Sequence, residues 1–123
     1  MADYVPLFKP GQAYTRPVAT TAVVGGRLVE VNGVGTVGPA GAASSAVCGV
    51  AAFDAAVGEQ VTVHTGGVQR LTASAAITAG GLVAAAATGK IAAIASGLFG
   101  TLVGVALTSA ASDGDLVEVL MFR

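Results

Sequence analysis

Residues 102–120, LVGVALTSAASDGDLVEVL, restate residues 47–64, VCGVAAFDAAVGEQVTVH, and this internal copy limits the folds open to the chain. Setting Gly104 on Gly49 pairs Val105 with Val50, Ala106 with Ala51, Ala110 with Ala55 and Ala111 with Ala56, all identical and without a gap. One extra residue then enters where Ser112 and Asp113 replace Val57, a change that a turn absorbs easily. Beyond it Gly114 meets Gly58, Asp115 meets Glu59, Val117 meets Val61 and Val119 meets Val63. Upstream, RPVATTAVVGGRLV (16–29) lies on RLTASAAITAGGLV (70–83) at a constant offset of 54, with Arg16, Ala19, Ala22, Gly26, Leu28 and Val29 matched identically. The body is therefore two copies of one unit, about 16–64 and 70–120. Two copies are too few for a solenoid and suit a compact structure with internal pseudo-symmetry.

The unit is built of strands. Val61 and Val63, like Val117 and Val119, recur at the two-residue period of a half-buried strand, with Thr62 and Glu118 on the opposite face. The segments VCGVAAF and LVGVAL are apolar on both faces, short, and contain Val and Gly, which favours a buried strand over a helix. Each copy thus ends as a core strand, a polar turn and a return strand. Turn signals recur along the chain, among them Gly25-Gly26, Asn32-Gly33, Gly66-Gly67, Gly80-Gly81 and Asp113-Gly114-Asp115. Short apolar runs between frequent turns predict an all-β fold, a compact barrel or sandwich with a two-fold sequence repeat. Ala84 to Ala87 is compatible with a turn or two of helix, confined by Gly80, Gly81 and Gly89. Residues 16–123 form a single β domain. Residues 1–15 form an extended N-terminal arm, because Pro6 and Pro10, with Pro17 just beyond, deny ladder donors and favour extended chain.

Charged residues are 11% of the chain, against about a quarter in ordinary soluble proteins. The net charge is -1 and there is no basic run to neutralise phosphates, so no nucleic-acid partner is expected. With a mean hydropathy of +0.78, much of the outside should be covered by copies of the chain or by a partner. The arm adds Tyr4, Val5, Leu7 and Phe8, a large apolar load for a free tail, and these four are the candidate contact residues. The single Cys48 allows no internal disulfide and no multi-cysteine metal site, and reads as a small buried hydrophobe. The start MADYVPLFKPG carries Asp3, Pro6 and Pro10 where a signal peptide needs a basic start and an unbroken apolar run, so secretion by that route is not expected.

No motif matures into chemistry. Gly33, Gly35 and Gly38 match G-x-G-x-x-G, and Asp54 lies 21 residues after Gly33. The fingerprint needs a helix opening directly after it, whereas Pro39 and Gly41 leave only a few residues before the strand at Val47. A glycine-rich loop opening with an Asn-Gly turn is the simpler reading. Ile91 to Ser112 runs 22 residues without charge and contains a GxxxG from Gly100 to Gly104, which raises the question of a membrane span. It is rich in Ala, Gly, Ser and Thr, and its second half repeats a segment leading into Asp54 and Glu59, so no span is expected. His64 reads as a solvated strand residue, Asp113 and Asp115 as a turn, and Ser44 and Ser45 lack a nucleophile-elbow context. No catalytic, cofactor-binding or metal-ligating residues are expected.

The chain resembles the small capsid decoration, or cement, proteins of tailed bacteriophages. The resemblance rests on Tyr4-Val5 followed by Gly11, the segment ending Gly25-Gly26-Arg27-Leu28-Val29, VCGVAAFDAAVGEQVTV, the Gly67-Val68 strand, and the closing LVGVALTSAASDGDLVEVLM. It implies a β-rich body, made in the host cytoplasm, that binds the outer surface of the phage head and stabilises joints between major capsid subunits. It also implies a homo-oligomer, with a trimer favoured. The arm residues Tyr4, Val5, Leu7 and Phe8, on their apolar load, are expected to contact the capsid or a neighbouring subunit, the alternative being that they pack back on their own barrel. The rival readings are a small dinucleotide-binding enzyme built on Gly33, Gly35 and Gly38, and a small membrane protein using Ile91 to Ser112.

Overall fold

A computed structural model of the chain describes residues 4, 5, 7, 8 and 11–123; Pro6 and Pro10 of the arm lie outside the described residues. The body is all-β. The first half supplies β1 (Tyr14–Pro17), β2 (Leu28–Gly33), β3 (Thr36–Pro39), β4 (Val47–Ala51) and β5 (Gln60–His64), in the sheet order β1-β5-β4-β2-β3. The second half supplies β6 (Val68–Thr72), β7 (Leu82–Ala85), β8 (Ile91–Ala93), β9 (Leu102–Ala106) and β10 (Leu116–Met121), in the order β6-β10-β9-β7-β8. Replacing each strand of the first sheet by its counterpart five places later gives the second sheet. All the paired strands are antiparallel. Each sheet curls until its edge strands touch at one parallel bridge, Val18 with Val37 and Ala73 with Ile91. Neither sheet closes into a barrel, so the fold is sandwich-like.

The repeat reaches individual hydrogen bonds. Val23 bridges Ala55 as Ile77 bridges Ala110, and the Ala51 N–H donates to Arg27 C=O as the Ala106 N–H donates to Gly81 C=O. Both central strands carry a bulge at the same place. Register shifts between Val29 and Glu30 against β4, and between Val83 and Ala84 against β9. Beside each bulge the shared glycine is required by a close approach. A Cβ on Gly49 would stand 2.5 Å from the His64 carbonyl oxygen, and one on Gly104 would strike the carbonyl of Leu120, the residue equivalent to His64.

The registers correct one part of the sequence alignment. Val61 pairs with Arg16 and its counterpart Val117 pairs with Leu71, so Arg16 corresponds to Leu71 and not to Arg70. Alternation decides this, because the inward positions must be Leu71 of β6 and Ala73 directly after it, both fully buried. The loop from Val18 to Val23 absorbs the extra residue relative to Ala73 to Ile77. Around Ala84 to Ala87 the strand wins over helix propensity: Ala84 and Ala85 belong to β7, and only Ala87–Gly89 forms a single 3-10 turn. Residues 33–38, read as a loop, form a β2–β3 hairpin, with Thr36–Pro39 as a strand.

Each half has its own inner core. In the first it is Val18, Val23, Val29, Val37, Ala51, Ala55, Val61 and Val63. The counterparts Ala73, Ile77, Val83, Ile91, Ala106, Ala110, Val117 and Val119 lie in the second cluster. That cluster also takes in Leu28, Ala40, Val47 and Val50 from the first half, which is how the two halves are joined. A buried Val or Leu contributes roughly 1.5–3 kcal/mol relative to exposure, so this shared cluster dominates the junction.

Candidate interaction surface

Alternation along β10 turns Val117, Val119 and Met121 inward and Leu116, Glu118 and Leu120 outward. In β5 the outward residues are Gln60, Thr62 and His64. The same sheet position is therefore polar in the first half and largely apolar in the second. Registers extend the apolar side: Leu82 pairs with Val105, Val105 with Leu120, and Leu120 with Val68, a row across four adjacent strands. Leu82, Leu120 and Val68 are exposed, and so are Leu116 at the start of β10, Phe122 just after it, and Leu98 and Phe99 between β8 and β9. A contiguous apolar surface of this kind marks a docking site.

In the first half, Tyr14, Arg16, Val31, Gly35, Thr36, Val37 and Cys48 line a cavity of about 180 Å³. The Tyr14 hydroxyl donates to the Cys48 carbonyl at 3.2 Å, and the Arg16 guanidinium stands 5.2 Å from the Tyr14 ring centroid. Burial, followed by its contact with Cys48, pushes the Tyr14 phenol above its ordinary range. Burial likewise raises the Cys48 thiol, whose Sγ lies 3.7 Å from the Val29 carbonyl. A thiol raised this way is a poor nucleophile, in keeping with a packing role, although Cys48 is half-buried where full burial is expected from its sequence context.

Of the four arm candidates, Phe8 packs near this cavity, its ring centroid 5.8 Å from that of Tyr14. Tyr4, Val5 and Leu7 are exposed, Tyr4 and Leu7 at 87%. Of these four, Phe8 is the one set against the first half, beside Tyr14 of β1. The larger exposed surface, with Leu82, Leu98, Phe99, Leu116 and Leu120, is absent from the sequence candidates. Its signal is the uncharged stretch Ile91 to Ser112 and the unequal outward faces of β5 and β10.

Residues that suggested chemistry are turn and cap residues. The Asp54 carboxylate accepts from the Gly25 N–H at 2.8 Å, as Ser109 Oγ, its counterpart, accepts from the Ala79 N–H at 2.9 Å. Glu59 accepts from the Ala56 N–H and Asp115 from the Ala111 N–H. Asp113 pairs with Lys90 at 2.9 Å, and that bond holds its carboxyl below the usual carboxylate range. Ser44 Oγ donates to Glu30, and the exposed His64 ends β5. Gly33 and Gly38 lie in the paired strands of a hairpin, with no helix after them to face a pyrophosphate. Among the described residues no cluster of three or more His, Cys, Asp or Glu could hold a metal, and no helix is long and apolar enough to cross a membrane.

The sequence model of the phage cement protein family matches residues 8–121. Among solved structures, the chain is similar to the N-terminal base of the head fiber protein gp8.5 of bacteriophage phi29, with a TM-score of 0.70. The identity there is 20%, and the match covers 89% of this chain and 92% of that one. At that identity the likeness is one of fold. No curated protein sequence matches the chain.

Proposed function

Because the chain belongs to the phage cement protein family and is a structural protein of the phage capsid, we propose that it binds the outer surface of the assembled head and stabilises joints between major capsid subunits. The observation that carries this reading is the largely apolar outward face of β10, where Leu116 and Leu120 stand in place of the polar Gln60 and His64 of β5, continued by the exposed Val68 of β6 and Phe122 just after β10. Glu118 and Arg70 stand as opposite charges at directly paired positions of this face, and the apolar residues around them are suited to lasting protein contact. The protein acts as a homo-oligomer, a trimer, and is made in the host cytoplasm before joining the virion. Tyr4, Val5, Leu7 and Phe8 of the arm add contacts to the capsid or to a neighbouring subunit. Its work is burial of surface, with no reaction and no cofactor.

The test is binding of the purified chain to heads assembled without it, followed by imaging and heating of the particles. Density on the outer surface at subunit joints, together with heads that resist higher temperature, is the expected result. Leu120→Asp should lower occupancy at least about tenfold, as loss of an interface anchor does. Removing residues 1–9 should weaken binding while the body stays folded. Heads that take up no protein, or take it up on the inner surface, would overturn the proposal.

A further inference from the structure

The halves of the chain meet through an unsymmetrical contact. The first half offers a face, at Leu28 and Ala40, and the second half offers a tip, the turn between β7 and β8. The Gly89 N–H donates to the Ala40 carbonyl at 2.9 Å, and the Ala43 N–H donates to the Ala85 carbonyl at 2.8 Å. The approach is close enough that a Cβ on Gly89 would stand 2.6 Å from the Leu28 carbonyl oxygen. Since both halves carry the same strands in the same order, each owns a face and a tip, and one of each is left over.

The leftover face is at Leu82 and Ile94. Their identity as counterparts is fixed by a shared bond: the Ala40 N–H donates to Leu28 C=O at 3.1 Å, and the Ile94 N–H donates to Leu82 C=O at 3.0 Å. The leftover tip is the β2–β3 turn, where Val31 corresponds to Ala85 and Gly35 to Gly89. Gly35 has the same left-handed backbone as Gly89, with φ of 69° against 76°. Nothing lies within 4 Å of a Cβ placed on Gly35, so the space that Leu28 fills at Gly89 is open here. Val31 and Val34 on the tip and Leu82 on the face are exposed. Leu28 and Ala85, the covered counterparts of Leu82 and Val31, are apolar and buried, so Leu82 and Val31 are costly to leave exposed in a monomer, and Val34 on the tip adds to that cost.

We propose that the β2–β3 tip of one copy docks on the Leu82 face of a second copy, repeating between chains the contact that joins the halves within one. The contact is head-to-tail, uses different surfaces on its two sides, and closes as a ring in a symmetric oligomer. It rests on the reading that the protein works as a homo-oligomer, and it specifies how.

Sedimentation of the full chain across a concentration series, with three variants, tests it. Val34→Lys places a charge on the tip, and Leu82→Lys places one on the face; Phe99→Lys, at a ring 69% exposed, is a second face variant that disturbs the fold less. Circular dichroism confirms folding of each. Each variant alone should self-associate at least about tenfold more weakly than the unaltered chain. An equimolar mixture of the tip variant and a face variant should recover a dimer, because one intact tip then meets one intact face. Variants that keep the unaltered oligomer, or a mixture that associates no better than its components, would overturn the docking while leaving the homo-oligomer standing. An unaltered chain that is monomeric both free and on the head would overturn both.

Discussion

Leu28 and Leu82 are the same residue at the same position of the same strand in two copies of one unit, yet Leu28 is 0% exposed and Leu82 is 37% exposed. Their neighbours follow suit, with Val50 buried and its counterpart Val105 only half-buried. Local structure cannot explain the difference, because the registers and bulges around the two leucines agree. What differs is that the second half covers Leu28, whereas among the described residues nothing covers Leu82 in the same way. A duplicated fold therefore makes every surface twice and, within one chain, satisfies only one copy of each. Elsewhere the halves have diverged where their surroundings differ. Leu71 and Val103 fill the second core where Arg16 and Cys48 rim a cavity in the first, and β10 has turned apolar where β5 remains polar.

The sharpest way to break this comparison is to truncate both leucines. Leu28→Ala should cost about 2–5 kcal/mol in denaturant unfolding, because it empties a shared core. Leu82→Ala should cost under about 1 kcal/mol in the monomer, since much of that side chain is already in water. Equal costs would mean that the two environments are the same. The bulge glycines come next. Gly104→Ala and Gly49→Ala should each destabilise by roughly 1–3 kcal/mol, because the new methyl meets backbone that has no room to move. Similar losses would show that both bulges do the same job. The caps are a finer probe: Asp54→Ala and Ser109→Ala should each lose about 0.5–1.5 kcal/mol, the net worth of one hydrogen bond.

The smallest effect is alkaline and confined to the first half. Tyr14 and Cys48 are both raised above their ordinary values by burial, so the folded chain favours their protonated forms. Their stabilisation is complete below the values of the unfolded groups, about 8.5 for the thiol and about 10 for the phenol, and is lost as pH rises beyond them. The counterparts of Tyr14 and Cys48 are Gln69 and Val103, which do not titrate. Hydrogen exchange above pH 10 should therefore loosen β1 and β4 before β6 and β9, and Tyr14→Phe together with Cys48→Val should remove the difference.

Much of this architecture is legible in the sequence, because period-two valines and shared glycines mark β4, β5, β9 and β10 twice over. β3 is not, since Gly33 to Gly38 has the composition of a loop and only pairing with β2 makes Thr36–Pro39 a strand. The alignment of β1 on β6 slips by one residue because an Arg–Arg identity outweighs the alternation that buries Leu71. The docking surface is the least legible part. Leu28 and Leu82 look alike as letters, and only the packing of the halves tells them apart. Low charge announces that something covers the surface but not where, and the stretch Ile91 to Ser112 looks membrane-like because it holds the uncovered Leu98 and Phe99.

Hydrogen exchange of two equivalent loops, followed as protein concentration rises, probes the difference between the halves most directly. Residues 41–46 are tied to the second half of their own chain through the Ala43–Ala85 bond, whereas residues 95–101 are their uncovered counterparts. Loop 41–46 should be protected equally at every concentration, and loop 95–101 should gain protection in step with self-association. Protection of 95–101 that stays constant while the protein passes from monomer to oligomer would contradict the picture of one face covered within the chain and its copy covered between chains.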